Sequence, residues 1–143
     1  NILWFESAYD AMAEYQINPV KSVYVSTGGT PTKRQIKGML EETRQASHYL
    51  GFDKDEAGRG FVKNFKVIAK EMGFADCMVQ AYHPLGQYKD WNDALLGKRD
   101  QRLIDQGEID FDYFEFAKAQ EAERQQEQAK QKEREERTSG FRR

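Results

Sequence analysis

Apolar and polar positions alternate in blocks along residues 1–97. Four short segments rich in apolar, β-branched and aromatic residues predict strands, and the stretches between them show helical spacing. The predicted strands cover residues 2–5, 22–27, 47–52 and 76–83. Strands that alternate with helices are typical of crossover units. The pattern therefore predicts an α/β domain with a mostly parallel four-stranded sheet between helices.

Local start signals support the helices. Ser7 is a predicted N-cap of the first helix, and Thr32 with Gln35 has the spacing of a capping box at the start of the second. The third helix is predicted at about residues 58–72, and a short fourth one within "KDWNDALLG". The apolar face predicted for the first helix consists of Ala8, Ala11, Met12 and Tyr15.

The composition changes twice beyond residue 97. Residues 98–116 still contain core-type side chains and are predicted to be a C-terminal packing segment. In residues 117–137 the only apolar side chains are four alanines among Gln, Glu, Lys and Arg. Such a sequence predicts a polar, charged helix or a disordered tail over residues 117–143.

Polar and charged side chains follow each predicted strand. In strand order they are Glu6; Thr27, Gly28 and Gly29; Asp53 and Asp55; and Lys89 and Asp90. The carboxyl ends of parallel strands meet at one edge of a sheet, and ligands of open α/β sheets bind there. The sequence therefore predicts that these residues share one functional edge.

The segment "GFDKDEAGRG" allows several interpretations of its two aspartates. A calcium loop beginning at Asp53 is excluded, because its fifth and twelfth positions would be Ala57 and Asn64. An aspartate-nucleophile phosphatase fits poorly, since "EAGR" follows Asp55. An acidic turn and a Mg²⁺ site stay open. Two aspartates two residues apart can turn to one ion, and Glu6 can add a ligand or handle a proton.

These residues resemble the Toprim domain, shared by topoisomerases, bacterial-type primases, the overcoming-lysogenization-defect nucleases and RecR repair proteins. The family has a glutamate after the first strand, a Thr-Gly stretch after the second and D-x-D with a glycine after the third. The corresponding segments are "WFESAYDAM", "STGGT" and "FDKDEAGR". "YKDWNDALL" is similar to a segment of primase-like Toprim proteins of plasmids and mobile elements. The resemblance covers about residues 1–97 and implies a Rossmann-like sheet of the Toprim type.

The resemblance also implies roles. Asp53 and Asp55 would hold Mg²⁺ or Mn²⁺, and Glu6 would be a general acid/base or a further ligand. The supporting acids would be Asp10, Asp90 and Asp93. Asp10 and Asp93 also fit exposed first-turn acids favoured by the helix dipole.

The implied function is nucleotidyl or phosphoryl transfer in a DNA primase-like or mobilisation protein. Its partners would be DNA and nucleotides, together with the remaining domains of the parent protein. Single-stranded DNA is the expected form. A Toprim-type nuclease domain is the alternative enzyme. A non-catalytic interaction module of DNA repair or replication is the alternative from another class.

Several residues fit contacts with phosphate or DNA. The residues at strand ends with this potential are Thr27, Gly28, Gly29 and Lys89. A basic stripe of Arg59, Lys63, Lys66 and Lys70 falls on one side of the third helix. Such a stripe suits a phosphate backbone, but it also fits an ordinary solvated face. Trp91 could stack on a base, although packing is the commoner role of such an aromatic.

The overall composition limits the possible functions and locations of the protein. The 143 residues carry a net charge of −2, so no general basic field indicates nucleic-acid binding. The single cysteine, Cys77, excludes an intramolecular disulfide and a multi-cysteine zinc site, and it fits a reducing, cytoplasmic location. No apolar run has membrane-spanning length, so we expect no membrane partner. The strand-like start without methionine predicts an excised domain of a longer protein.

Overall fold

The computed structural model describes residues 1–140 of the chain, with side chains described up to residue 135. The strands are β1 (Ile2–Phe5), β2 (Val23–Ser26), β3 (His48–Leu50) and β4 (Val79–Ala81). The helices are α1 (Ala8–Ile17), α2 (Lys33–Glu42), α3 (Glu56–Glu71), α4 (Trp91–Leu96), α5 (Gln101–Asp105) and α6 (Tyr113–Gly140). A 3-10 turn, Asp76–Met78, precedes β4.

The sheet confirms the predicted parallel architecture. Its four strands lie in the order β2-β1-β3-β4, and every pair is parallel. In the register, Trp4 of β1 lies opposite Val25 of β2 and Leu50 of β3. The carboxyl ends of β1 and β3 are therefore neighbours. Glu6 and Asp53 leave the sheet from adjacent strands at the same edge.

The core lies between the sheet and the helices α2 and α3. β1 is buried along its whole length, as expected for an inner strand of a covered parallel sheet. Trp4 meets the ring of Phe65 edge to face with centroids 5.0 Å apart, and Ile36 and Leu40 complete the α2 side. This packing fixes β1 and β3, the two strands that precede the carboxylates.

The apolar face predicted for α1 is wrong. Met12 and Tyr15 are each 54% exposed, and the residues buried instead are Asp10, Ala13, Glu14 and Ile17. The two buried acids have partners from distant segments: the Tyr82 hydroxyl donates to Glu14 at 2.7 Å, and the Asn92 N–H donates to Asp10 at 3.1 Å. These hydrogen bonds make it possible to bury the polar side of the helix.

The predicted helix starts are largely correct. Ser7 caps α1, and Thr32 and Gln35 form the capping box of α2. The third helix begins at Glu56 rather than near residue 58, because the Asp55 carboxylate accepts the Gly58 N–H at 2.8 Å and caps the first turn.

The chain divides into two compact units, Asn1–Phe111 and Asp112–Arg143. In the first, Leu103 of α5 is buried, whereas Ile109 is 79% exposed, so not every apolar residue after position 97 joins a core. The second unit contains α6, whose side chains at residues 121–135 are all exposed. Residues 141–143 of the predicted tail lie outside the described residues. Within the described part of the chain, no helix has both the length and the apolar character needed to cross a bilayer.

Candidate metal centre at the sheet edge

Asp55 divides its two carboxylate oxygens between two partners. Oδ1 accepts the Gly58 N–H at the start of α3, and Oδ2 lies 3.4 Å from the ammonium of Lys89. The Gly58 hydrogen bond is the main reason that the pKa of Asp55 lies below its usual range, with the Lys89 contact adding to it. The helix cap therefore fixes the orientation of this carboxylate.

Lys89 contacts both aspartates of the D-x-D segment. Its Nζ lies 2.8 Å from Oδ2 of Asp53 as well as 3.4 Å from Oδ2 of Asp55. The hydrogen bond to Asp53 is the largest cause of the raised pKa of Lys89. The two carboxylates can thus face one and the same cationic atom.

Glu6 shares the electrostatic environment of this pair. Partial burial is the main cause of its raised pKa, and the negative charges of Asp53 and Asp55 raise the pKa further. A carboxylate with a raised pKa is a stronger proton acceptor than an ordinary glutamate. Glu6 therefore lies close enough to Asp53 and Asp55 for their charges to act on it.

The Thr27-Gly28-Gly29 turn positions the backbone of Glu6. The Gly28 N–H donates to the Glu6 carbonyl at 3.0 Å, and the Thr27 hydroxyl donates to the Gly29 carbonyl at 2.6 Å. Gly28 has φ of 61° and Gly29 has φ of 133°, which glycine adopts without strain. The N–H of Gly28 is already engaged within the protein. Phosphate contact by this turn stays a prediction.

Asp10 is a buried acid that joins two helices. It is 6% exposed, so its interpretation as an exposed first-turn acid is wrong. Its carboxylate accepts hydrogen bonds from the Ser7 hydroxyl and from the Asn92 N–H at the start of α4. Asp10 therefore positions the segment that carries Lys89 and Asp90.

Asp90 and Asp93 have different surroundings. Asp90 caps α4 by accepting the Asp93 N–H at 2.7 Å. Burial is the main cause that raises the pKa of Asp90 to about 6, and the charges of Asp10, Asp93 and Asp53 contribute. The Asp93 carboxylate lies 3.6 Å from the ammonium of Lys98. The negative charges of Asp10 and Asp53 thus act on Asp90, whereas Asp93 has Lys98 as its counter-ion.

The basic stripe lies on the helix that starts at the site. Arg59, Lys63 and Lys66 are exposed on α3, and so is Lys70. The Arg59 guanidinium donates to the Lys54 carbonyl at 2.9 Å, which holds its side chain beside the D-x-D loop. Trp91, by contrast, is 2% exposed and donates its indole N–H to the Tyr82 carbonyl. The structure therefore excludes Trp91 as an exposed base-stacking platform.

Sequence reasoning missed Lys54 and Gly58. Lys54 lies between the two aspartates in sequence, but its side chain points away from them. Its ammonium donates to the Gly86 carbonyl at 2.6 Å and lies 3.7 Å from Glu108. Its position between two aspartates was the available signal, because successive side chains of an extended segment point to opposite sides. Gly58 packs against the carbonyl of Asp53, and nothing in "EAGRG" distinguishes it from Gly60.

The carboxylates of the site can be compared with the ligands that a divalent ion needs. In the part of the chain that the structure describes, no group of three or more His, Cys, Asp or Glu side chains is arranged as a ready cluster of ligands. The oxygens of Asp53 and Asp55 nevertheless reach a common cation, the Lys89 ammonium, and the third carboxylate is electrostatically coupled to them. Carboxylate oxygens are the ligands that Mg²⁺ prefers, and it commonly needs one or two of them. These residues fit such an ion.

Comparison with known proteins agrees with the observed fold. The family model described as Toprim-like matches residues 3–95, which include all of the sheet except Ile2 and every carboxylate of the site. No curated protein and no solved structure gives a significant match. Toprim domains typically bind Mg²⁺ and generally act on nucleic acids. The chain belongs to the Toprim-like family.

Proposed function

We propose that this domain carries out Mg²⁺- or Mn²⁺-dependent nucleotidyl or phosphoryl transfer on DNA, as part of a cytoplasmic primase-like or mobilisation protein. The observation that carries the proposal is the convergence of the Asp53 and Asp55 oxygens on one cationic atom, with charges that also act on Glu6. Such a constellation suits chemistry at a phosphate, where negative charge must be offset and a proton must move.

Asp53 and Asp55 would hold the ion, which when bound would offset the negative charge of the transferring phosphoryl group. The cap at the start of α3 orients the Asp55 carboxylate before any ligand arrives. Glu6, which follows β1 at the same edge of the sheet, accepts the proton of the attacking hydroxyl. The Thr27–Gly29 turn holds the backbone of Glu6 in place.

The proposed contact with the nucleic-acid substrate is made by α3. Its exposed Arg59, Lys63 and Lys66 begin at the D-x-D loop and continue along the helix. Cations in a row beside a metal centre suit the phosphates of a nucleic-acid backbone. Single-stranded DNA and nucleotides are the substrates that we propose.

The test combines metal binding with activity. Thermal unfolding is followed during Mg²⁺ and Mn²⁺ titration of the wild type, Asp53→Asn and the control Asp76→Asn. Asp76 is exposed at the amino end of β4, across the sheet from the site. We expect the ion to stabilise the wild type and Asp76→Asn but not Asp53→Asn. Metal stabilisation that persists in Asp53→Asn would refute the site.

The same proteins are incubated with single-stranded DNA and labelled nucleotides. Incorporation of nucleotide supports the proposed transfer. Shortened DNA identifies a nuclease instead. Metal binding with neither reaction identifies a non-catalytic interaction module.

A further inference from the structure

A side chain of the protein itself fills the cationic position between the two aspartates. The ammonium of Lys89 lies 2.8 Å from Asp53 Oδ2 and 3.4 Å from Asp55 Oδ2. The Asp53 side chain is 14% exposed and that of Lys89 is 30% exposed, so water screens this contact less than it screens a surface ion pair.

Lys89 is held in this place by backbone contacts. Its carbonyl accepts the Lys54 N–H at 2.8 Å, which joins the loop after β4 to the D-x-D loop. The next residue, Asp90, caps α4. The backbone of Lys89 is therefore fixed beside the carboxylates, while the flexible side chain determines where the ammonium lies.

The ammonium and a divalent ion compete for these oxygens. Mg²⁺ bound by carboxylates needs their oxygens at about 2.1 Å, whereas Lys89 now makes its contacts through the same Oδ2 atoms. Two cations at one pair of oxygens would also repel each other strongly. Binding of the ion at the two Oδ2 atoms therefore weakens the contact of the ammonium with Asp53 and Asp55.

We propose that Lys89 is an internal counter-ion that competes with the divalent cation for Asp53 and Asp55. This inference rests on the proposed metal site. When the ion is absent, Lys89 relieves the repulsion among Asp53, Asp55 and Glu6. When the ion binds, the Lys89 side chain rotates off the carboxylates, and its ammonium becomes available to a phosphate of the substrate. Lys89 is thus a positioning residue that sets the concentration of metal the site requires.

The test compares Lys89→Met with Lys89→Arg and with Lys63→Met, a control that removes one exposed lysine of α3. Thermal unfolding is measured over a Mg²⁺ titration at constant ionic strength. We expect Lys89→Met to lower the melting temperature without added metal, and to lower the Mg²⁺ concentration for half-maximal stabilisation roughly three- to tenfold. Lys89→Arg, which keeps the charge, should require about as much Mg²⁺ as the wild type, and so should Lys63→Met.

An unchanged or higher Mg²⁺ requirement in Lys89→Met, in a protein whose response Asp53→Asn still abolishes, would overturn the competition and leave the metal site standing. An equal decrease in Lys63→Met would overturn it too, because the effect would then be one of general charge. The absence of any metal response in both the wild type and Lys89→Met would refute the metal site itself. If Lys89→Met does not fold, Lys89→Gln gives the same comparison, because it removes the charge but keeps a hydrogen-bond donor.

Discussion

Gly58 lies so close to Asp53 that a methyl group on its Cα would be 2.2 Å from the Asp53 carbonyl oxygen. Gly58 is in the first turn of α3, the turn that Asp55 caps. The approach of this helix to the loop therefore sets the position of both aspartates.

Gly58→Ala should displace the D-x-D loop. Because the clash is with backbone, we expect a loss of about 1–3 kcal/mol in the free energy of unfolding, together with weaker Mg²⁺ stabilisation. Gly60→Ala is the matched control, since no atom lies within 4 Å of its added Cβ. It should raise stability by about 1 kcal/mol, as alanine favours a helix over glycine. Urea denaturation measures both, and a neutral Gly58→Ala would contradict the packing.

Asp55 variants should separate capping from metal binding. Asparagine also caps helices well, whereas alanine does not, so Asp55→Ala should be about 1 kcal/mol less stable than Asp55→Asn in urea denaturation. Both should lose much of the stabilisation by Mg²⁺. Equal stability of the two variants would show that the 2.8 Å bond to the Gly58 N–H contributes nothing.

Asp10 should stabilise the junction of α1 and α4 mainly as a hydrogen-bond acceptor. Asp10→Ala leaves the partly buried Asn92 N–H without this acceptor, which costs about 1–3 kcal/mol of unfolding free energy. Asp10→Asn keeps an acceptor oxygen and should lose less. The comparison of the two melting temperatures checks this. An equal loss in both variants would mean that the charge of Asp10 matters and the acceptor does not.

Glu14 should make stability depend on pH. It is fully buried, and burial is the main cause of its raised pKa, partly opposed by the hydrogen bond from Tyr82. A carboxyl whose folded pKa is raised contributes stability below its unfolded pKa and loses that contribution as pH rises through the folded value. Glu14→Gln should therefore match the wild type near pH 4.5 and melt several degrees higher at pH 8.

Melting temperatures across this range check the Glu14 prediction. Glu121→Gln, an exposed change on α6, serves as the control and should show no such difference between the two pH values. A Glu14→Gln protein that is less stable than the wild type at pH 8 would contradict the sign.

The basic stripe should contribute to DNA affinity through charge. The double variant Lys63→Gln, Lys66→Gln should bind single-stranded DNA more weakly. Its plot of log affinity against log salt should be shallower by about 0.7 for each lost phosphate contact. Lys21→Gln is the control, because Lys21 is exposed just before β2, at the opposite edge of the sheet. Fluorescence anisotropy at several salt concentrations measures the slopes, and equal slopes for all three proteins would identify the stripe as a solvated face.

Periodicity and caps predicted most of the fold because both are local signals. The four strands, the capping box at Thr32 and the strand-end positions of Glu6 and Asp53 follow from residues within a few positions of each other. The buried face of α1 could not be predicted from such local signals, because Glu14 is buried against Tyr82, a partner 68 residues away. Tyr15 looked equally suited to the core and is 54% exposed.

The sequence by itself determined that acidic residues follow strands of a parallel sheet, and hence that they meet at one edge. Only the tertiary structure decided what each of them contacts. It brought Lys89 between Asp53 and Asp55, turned Lys54 away toward Gly86, and selected Gly58 for the close approach to Asp53. The reason is physical: these contacts join loops that are distant along the chain, and their geometry depends on how the packed sheet and helices bring those loops together.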